Sequence, residues 1–162
     1  MNVAVIADTH LPRGQRRLPG ACVDRLRAAD LILHAGDVTA ASVLAELEAL
    51  GPTVHGVHGN MDEAAVRDRL PAKLVVELGG QRIAMTHDAG PRAGREERLV
   101  ARFPGCSAVV YGHTHEPQVA RVGETWILNP GSPTERRRSP SHTMLVLEVE
   151  EDAISPELIQ VS

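Results

Sequence analysis

The sequence predicts an α/β fold, and three observations carry that prediction. Up to Pro71, short apolar runs alternate with segments of helical spacing. This β-α-β-α-β order winds a parallel sheet through right-handed crossovers. Beyond Pro71, apolar runs come in pairs around Gly79-Gly80 and Gly123-Glu124, which reads as hairpins and adds antiparallel strands. The 162 residues hold no repeat and no linker, so one domain spanning 1–162 is expected. Its sheet is mixed, or divided into two sheets packed between helices.

A first strand over 2–7 leads into a loop with Pro12, Arg13 and Gly14. Pro19 suits the first turn of a helix, where a missing N–H leaves no bond unmade; Cys22, Leu26 and Ala29 continue it. Residues 31–33 form the second strand. Thr39 is placed to cap a helix whose Val43, Leu44, Leu47 and Leu50 recur at helical spacing until Gly51-Pro52 stops it. A strand over 53–57 and a helix over 62–70 complete the first half. Strands over 73–78 and 81–86 make a hairpin, a charged helix covers 94–102, and 108–111 is a buried strand. Residues 118–122 and 126–128 flank the second hairpin turn, and late strands follow at 144–149 and 157–161.

Composition narrows the function. A hydrophobic content of 43% with 23% charged residues is globular, and the first apolar stretch, 3–7, is too short for a signal peptide or a membrane span. A cytoplasmic protein without membrane partners is expected. Cys22 and Cys106 form no CxxC pair and read as reduced, partly buried thiols. The net charge of −4 and an aromatic set limited to Phe103, Tyr111 and Trp126 disfavour binding to long nucleic acid by charge or stacking.

Histidine is the outlier. Five apolar runs end in residues that bind metal ions: at Asp8-Thr9-His10, His34-Ala35-Gly36-Asp37, Gly59-Asn60-Met61-Asp62, Thr86-His87 and Gly112-His113-Thr114-His115. Open α/β sheets place their sites at the carboxyl ends of the strands. In an extended segment Asp8 and His10 point to one side, and His113 and His115 repeat the spacing. Gly36 and Gly59 let the backbone turn sharply beside Asp37 and Asn60. Taken singly, Asp8 reads as a helix-capping or loop aspartate, and His87 is more often a surface or core histidine than a ligand. Taken together, Asp8, His10, Asp37, Asn60, His87, His113 and His115 offer mixed oxygen and imidazole ligation, which suits Mn, Fe, Ni or Zn better than calcium. Seven donors are too many for one ion and fit two with a bridging carboxylate. Two ions about 3.5–4 Å apart clamp a phosphoryl group and activate a bridging hydroxide.

Asp8-x-His10, Gly36-Asp37, Gly59-Asn60, His87 and Gly112-His113-x-His115 resemble the signature of calcineurin-like metallophosphoesterases, specifically the small prokaryotic (YfcE-like) phosphodiesterase branch. The likeness runs from Asp8 to the Asn129-Pro130-Gly131-Ser132 loop. It implies a four-layer αββα sandwich with two mixed β-sheets. It also implies one ion on Asp8, His10 and His115, a second on Asn60, His87 and His113, and Asp37 between them, with Asn60 near the substrate phosphate. Two divalent ions are implied as cofactors, Mn²⁺ being common in assays, with Ni²⁺, Fe²⁺ or Zn²⁺ as alternatives. Asp37, Asn60 and His87 would carry the catalysis of a small phosphate ester.

Two positions depart from the pattern. Met61 stands where many relatives have a histidine that acts as general acid, so good leaving groups such as aryl phosphodiesters are expected to be favoured. Asp88 stands where relatives usually have Gly; it is a loop aspartate before Gly90-Pro91, or an extra carboxylate by the second ion. His34 is a candidate to orient a ligand, and His58 to face the cleft. Asp62 either bonds a nearby histidine or caps the helix that starts there. One of Arg136, Arg137 and Arg138, or Arg13 or Arg16, is a candidate to reach phosphate.

Three rival readings remain. The same centre would serve a phosphomonoesterase or a cyclic-nucleotide phosphodiesterase. The retromer complex uses a similar fold as a protein-binding scaffold with an impaired metal site, which predicts eroded ligands, yet none of the seven positions is missing. Exposed hairpins leave a homo-oligomer open.

Overall fold

A computed structural model describes all residues from Met1 to Ser162. In chain order the elements are β1 (Asn2–Ile6), α1 (Gly20–Ala28), β2 (Leu31–His34), α2 (Ala41–Glu48), β3 (Thr53–Gly56), α3 (Ala64–Arg69) and β4 (Lys73–Leu78). There follow β5 (Gln81–Thr86), α4 (Arg95–Arg102), β6 (Ala108–Val110), β7 (Gln118–Val122), β8 (Thr125–Asn129), β9 (Thr143–Val149) and β10 (Ile154–Gln160).

The strands form two five-stranded sheets, ordered β10-β9-β1-β2-β3 and β4-β5-β6-β8-β7. Each has a parallel block: β1, β2 and β3 in one, β5, β6 and β8 in the other. Antiparallel β9 and β10 extend the first sheet, and β4 and β7 edge the second. Period-two alternation then assigns each strand a face. Val3 and Val5 of β1 meet Ile83, Met85 and Val110 between the sheets, in a core of 17 buried residues. Ala4 and Ile6 turn outward onto Cys22 and Leu26 of α1 and Leu47 of α2. On the far side Val109 and Ile127 lie under Leu99 of α4 and Phe103. The result is the expected four-layer αββα sandwich with two mixed sheets.

Two local expectations change. Thr39 does not cap α2: the N-cap is Ala40, with no side-chain cap bond. Thr39 is held instead by a bridge to Leu11 and by its N–H to Asp62 Oδ1 at 2.6 Å. The Glu63 carboxylate serves α2 from outside, accepting the Ala41 N–H at 2.9 Å. Strand β10 starts at Ile154, earlier than expected, because it pairs with β9 along its whole length. Pro156 hides that start in the sequence, but on an edge strand its missing N–H is tolerated. Cys22 and Cys106 are both free and buried. Burial pushes the Cys22 thiol up to about 12, which leaves no thiolate for catalysis.

Candidate metal centre

The carboxyl ends of both parallel blocks converge on the seam between the sheets. β1 delivers Asp8 and His10, β2 Asp37, β3 Asn60, β5 His87, and β6 His113 and His115. Asp37 Oδ2 lies 3.2 Å from His87 Nε2 and 3.5 Å from His10 Nε2. Asp8 Oδ1 lies 3.6 Å from His115 Nε2 and 3.8 Å from the Nε2 atoms of His10 and His87. Asn60 Oδ1 is 3.2 Å from His87 Nε2, and the His113 ring stands edge-on to His87 with centroids 5.3 Å apart. All seven candidate ligands are therefore brought together.

Two groups have donor atoms within 4.8 Å of one another: Asp8, His10 and His115, and Asp8, Asp37 and His87. The first is the set expected for one ion. In the second, Asp8 joins Asp37 beside His87. Asp8 thus reaches both groups, a sharing that the sequence reading gave to Asp37 alone.

The backbone that presents these side chains is not extended, as the two-residue spacing suggested. Asp8, His10, Asp37, His113 and His115 have φ of 55°, 45°, 57°, 71° and 60°. The left-handed region costs an L-residue about 1–2 kcal/mol, and such strain persists where surrounding contacts over-determine it. Here the contacts are backbone bonds between strand-end loops, among them Asp8 N–H to Gly36 O at 2.9 Å and His10 N–H to Asp37 O at 3.1 Å. Glycine makes the crowding feasible. A Cβ on Gly36 would lie 2.4 Å from His87 Nδ1, and one on Gly59 would lie 2.1 Å from Asp37 Oδ1.

The electrostatics call for a cation. Asp8 Oδ1 is buried, has no hydrogen-bond partner and faces imidazole nitrogens. Burial raises the Asp8 carboxyl to about 7. For Asp37 burial also raises, but the His87 hydrogen bond and charge win and lower it to about 2. Burial lowers His87, yet Asp37 and Asp8 outweigh it and carry it to about 8. Burial lowers His115 to about 4 and lowers His10 as well. Two of the rings are set by a bond on the far nitrogen. His87 Nδ1 donates to Ala35 O at 2.8 Å and His115 Nδ1 donates to Glu135 O, so each presents Nε2 to the centre, where a metal ion would take the place of the His87 Nε2 proton. The unpartnered carboxylate oxygen and inward Nε2 atoms fit bound divalent ions.

Surrounding residues build the loops. Asp62 neither caps α3 nor bonds a histidine: α3 begins after Glu63. Its Oδ2 accepts the N–H groups of Gly59 and Asp37 at 2.6 and 3.0 Å, which clamps the loops of Asn60 and Asp37 together. His34 is fully buried. Its Nδ1 accepts the Gly36 N–H at 3.2 Å and its Nε2 bonds Thr9 Oγ1 at 3.0 Å, and burial lowers it to about 3. It is a neutral brace between the Asp8 and Asp37 loops. Sequence reasoning missed a further brace. Ser132 Oγ donates to Asp8 O at 2.8 Å, Thr134 Oγ1 donates to Thr9 O at 2.7 Å, and Asn129 Nδ2 donates to Gly112 O at 3.2 Å. The sequence signals were the run of hydroxyl and amide residues around Pro130-Gly131 and the family likeness of that loop, neither of which shows the bonding.

His58 and Asp88 line a shallow pocket of about 220 Å³ beside Asn60 and His87. Asp88 Oδ1 accepts the Gly90 N–H at 2.8 Å, the loop role weighed for it. Met61 is 58% exposed. Arg13 and Arg16 are engaged by Glu135 at 3.5 and 3.1 Å.

A two-sheet αββα sandwich with a histidine, aspartate and asparagine centre at the strand ends defines a metallophosphoesterase. The chain belongs to the calcineurin-like phosphoesterase superfamily, whose domain model matches residues 1–152. A probable metallophosphoesterase of Methanothermobacter thermautotrophicus is 35% identical over 162 residues, which is 99% of this chain and 92% of the relative. Vps29 of Entamoeba histolytica, solved in complex with zinc, superposes with a TM-score of 0.79 at 24% identity and 100% coverage of both chains. An archaeal phosphodiesterase superposes with a TM-score of 0.76 at 20% identity, over 98% of this chain and 100% of the other. At those identities the two structures share the fold. No helix is long and apolar enough to cross a membrane.

Proposed function

We propose that this chain is a one-domain, metal-dependent phosphodiesterase that hydrolyses small phosphodiesters at two divalent ions, with Mn²⁺ as the activating ion in assays. The observation that carries the reading is Asp8 Oδ1, a buried carboxylate oxygen with no hydrogen bond, among the Nε2 atoms of His10, His87 and His115. Asp8, His10 and His115 would hold one ion, and Asn60, His87 and His113 the other, with Asp37 shared. Bound divalent ions supply a water ionised at neutral pH and positive charge against the phosphate.

The chain's own residues set the geometry. His87 and His115 are locked by their Nδ1–H bonds to carbonyls, so they do not swing as substrate binds. The Asn60 amide turns its oxygen to His87 and keeps its NH₂ for a phosphate oxygen. Met61 moves no proton, so the leaving oxygen departs without a protein acid at that place, which favours aryl esters over alkyl esters.

The test is a substrate panel on metal-stripped protein given Mn²⁺, Ni²⁺, Zn²⁺ or Mg²⁺, with aryl and alkyl diesters, monoesters and cyclic nucleotides. Aryl diester turnover with Mn²⁺ is expected. Faster monoester or cyclic-nucleotide turnover would move the substrate assignment, and no turnover with any ion would return the chain to the scaffold reading.

A further inference from the structure

The loop over 135–139 is tied down onto the His113 and His115 loop. Glu135 O accepts the His115 Nδ1–H, and Ser139 Oγ donates to His115 O at 3.1 Å. Arg136 Nη1 closes the turn on Ser139 O at 2.8 Å. Between these ties Arg137 adopts φ 50°, a left-handed backbone that no glycine relieves, and its Nη1 donates to His113 O at 3.4 Å. That bond places its guanidinium beside the His113 loop, where its charge bears on Asp8, His10 and His115 together.

Other arginines near the site are engaged elsewhere. Arg13 and Arg16 share the Glu135 carboxylate. Arg67 directs its Nε and Nη2 to Asp62 O and Asn60 O, at 2.9 and 3.0 Å, and so supports a loop. Arg137 has a carbonyl partner and no carboxylate, and its side chain is exposed. A guanidinium beside a centre that would hold divalent cations is electrostatically unfavourable until an anion arrives. Its planar fork matches the paired oxygens of a phosphate.

We infer that Arg137 binds a non-bridging oxygen of the substrate phosphate and is a catalytic residue for the proposed reaction. The inference rests on the phosphoesterase reading. A diester brings one negative charge. A second gathers on the phosphoryl oxygens as the water-derived oxygen bonds to phosphorus; as the ester bond breaks its electron pair leaves with the leaving oxygen, which departs as an aryloxide and takes any proton from bulk water. A fixed cation that meets that extra charge stabilises the transition state more than the ground state. With Met61 in the acid's usual place, this charge is the contribution the protein makes to departure of the leaving group.

The test compares wild type, Arg137→Gln and Arg137→Lys, loaded with Mn²⁺. Arg137→Gln should lower kcat on an aryl diester roughly 100-fold, the size seen when one preorganised transition-state donor is removed. Arg137→Lys should recover part of the loss, and free guanidinium ion should partly rescue the Gln variant. Inorganic phosphate, titrated calorimetrically into the loaded proteins, should bind Arg137→Gln roughly 10-fold more weakly for want of one charge-assisted contact. Mn²⁺ affinity itself should stay within about twofold, because no metal ligand is touched. Equal kcat and equal phosphate affinity would overturn the inference. So would a large drop in Mn²⁺ affinity with turnover restored by saturating metal, since Arg137 would then be a loop brace. If the wild type turns over nothing, the phosphoesterase reading fails separately, and phosphate titration alone decides whether Arg137 binds the anion.

Discussion

Asp62→Asn keeps the shape of a buried side chain and removes its charge and one acceptor. Asp62 is 5% exposed, and its two oxygens accept three backbone N–H groups, from Gly59, Asp37 and Thr39. Asparagine has one carbonyl oxygen. Placed on Gly59 and Asp37, it points its NH₂ at the Thr39 N–H, so one amide is orphaned and two bonds fall from charged to neutral. A bond to a charged acceptor is worth about 1.5–3 kcal/mol and a neutral one about half that. One lost bond and two weakened ones therefore amount to roughly 3 kcal/mol, since neighbouring losses do not add fully. For a chain of this length that corresponds to a Tm lowered by about 6–12 °C. Because the clamp joins the Asp37 and Asn60 loops, Mn²⁺ affinity should fall about 10–100-fold. Thermal unfolding by circular dichroism in EDTA and calorimetric Mn²⁺ titration measure the two effects. A Tm within 2 °C of wild type, roughly a 0.5–1 kcal/mol change, together with unchanged affinity, would show that the three N–H groups do not depend on Asp62.

Gly36→Ala places a Cβ 2.4 Å from His87 Nδ1 at a φ of 100°, so strain and crowding together should cost about 2–4 kcal/mol. Mn²⁺ affinity should drop with it, as titration of the folded variant will reveal. Metal-free protein should be most stable near neutral pH. His34 and His115 have folded pKa values lowered below 6.5, to about 3 and about 4, so stability is lost as pH falls below 6.5. Asp8 and His87 have folded values raised, to about 7 and about 8, so the stability they contribute is lost as pH rises through those values. Bound metal replaces those two protons, so Mn²⁺ should remove the alkaline fall; a Tm that climbs from pH 7 to about 9 in EDTA would contradict this. Met61→His supplies an acid at an exposed position of the rim, and should raise the rate on alkyl diesters, relative to aryl ones, about 10–100-fold.

Much of the fold was legible because strands and their ends are local signals. An apolar run such as 3–7 or 108–111 declares a buried strand, and the residue that breaks it declares the loop. Neither role weighed for Asp62, a bond to a histidine or a helix cap, anticipated its clamp, because two of its three partners, Asp37 and Thr39, lie more than twenty residues away. Pro156 hid the start of β10 because the sequence does not reveal that the strand lies on an edge. The left-handed backbone at Asp8, His10 and His115 was also illegible. It is imposed by bonds to other loops and not preferred by these residues. His34 looked like a candidate for the site by its place at a run end. Its side chain instead points inward to Thr9 and Gly36, and only packing decides that orientation.

The sequence by itself determined the α/β class, the strand-end positions of seven candidate metal ligands and the absence of a proton donor at Met61, since each depends on residue type and short-range spacing. The tertiary structure alone decided which of them meet. His10 and His115, 105 residues apart, come Nε2 to Nε2 at 3.2 Å, and Asp8 stands between groups drawn from both sheets. Such juxtapositions follow from sheet order and from buried hydrogen bonds between loops remote in sequence, and no local pattern encodes either.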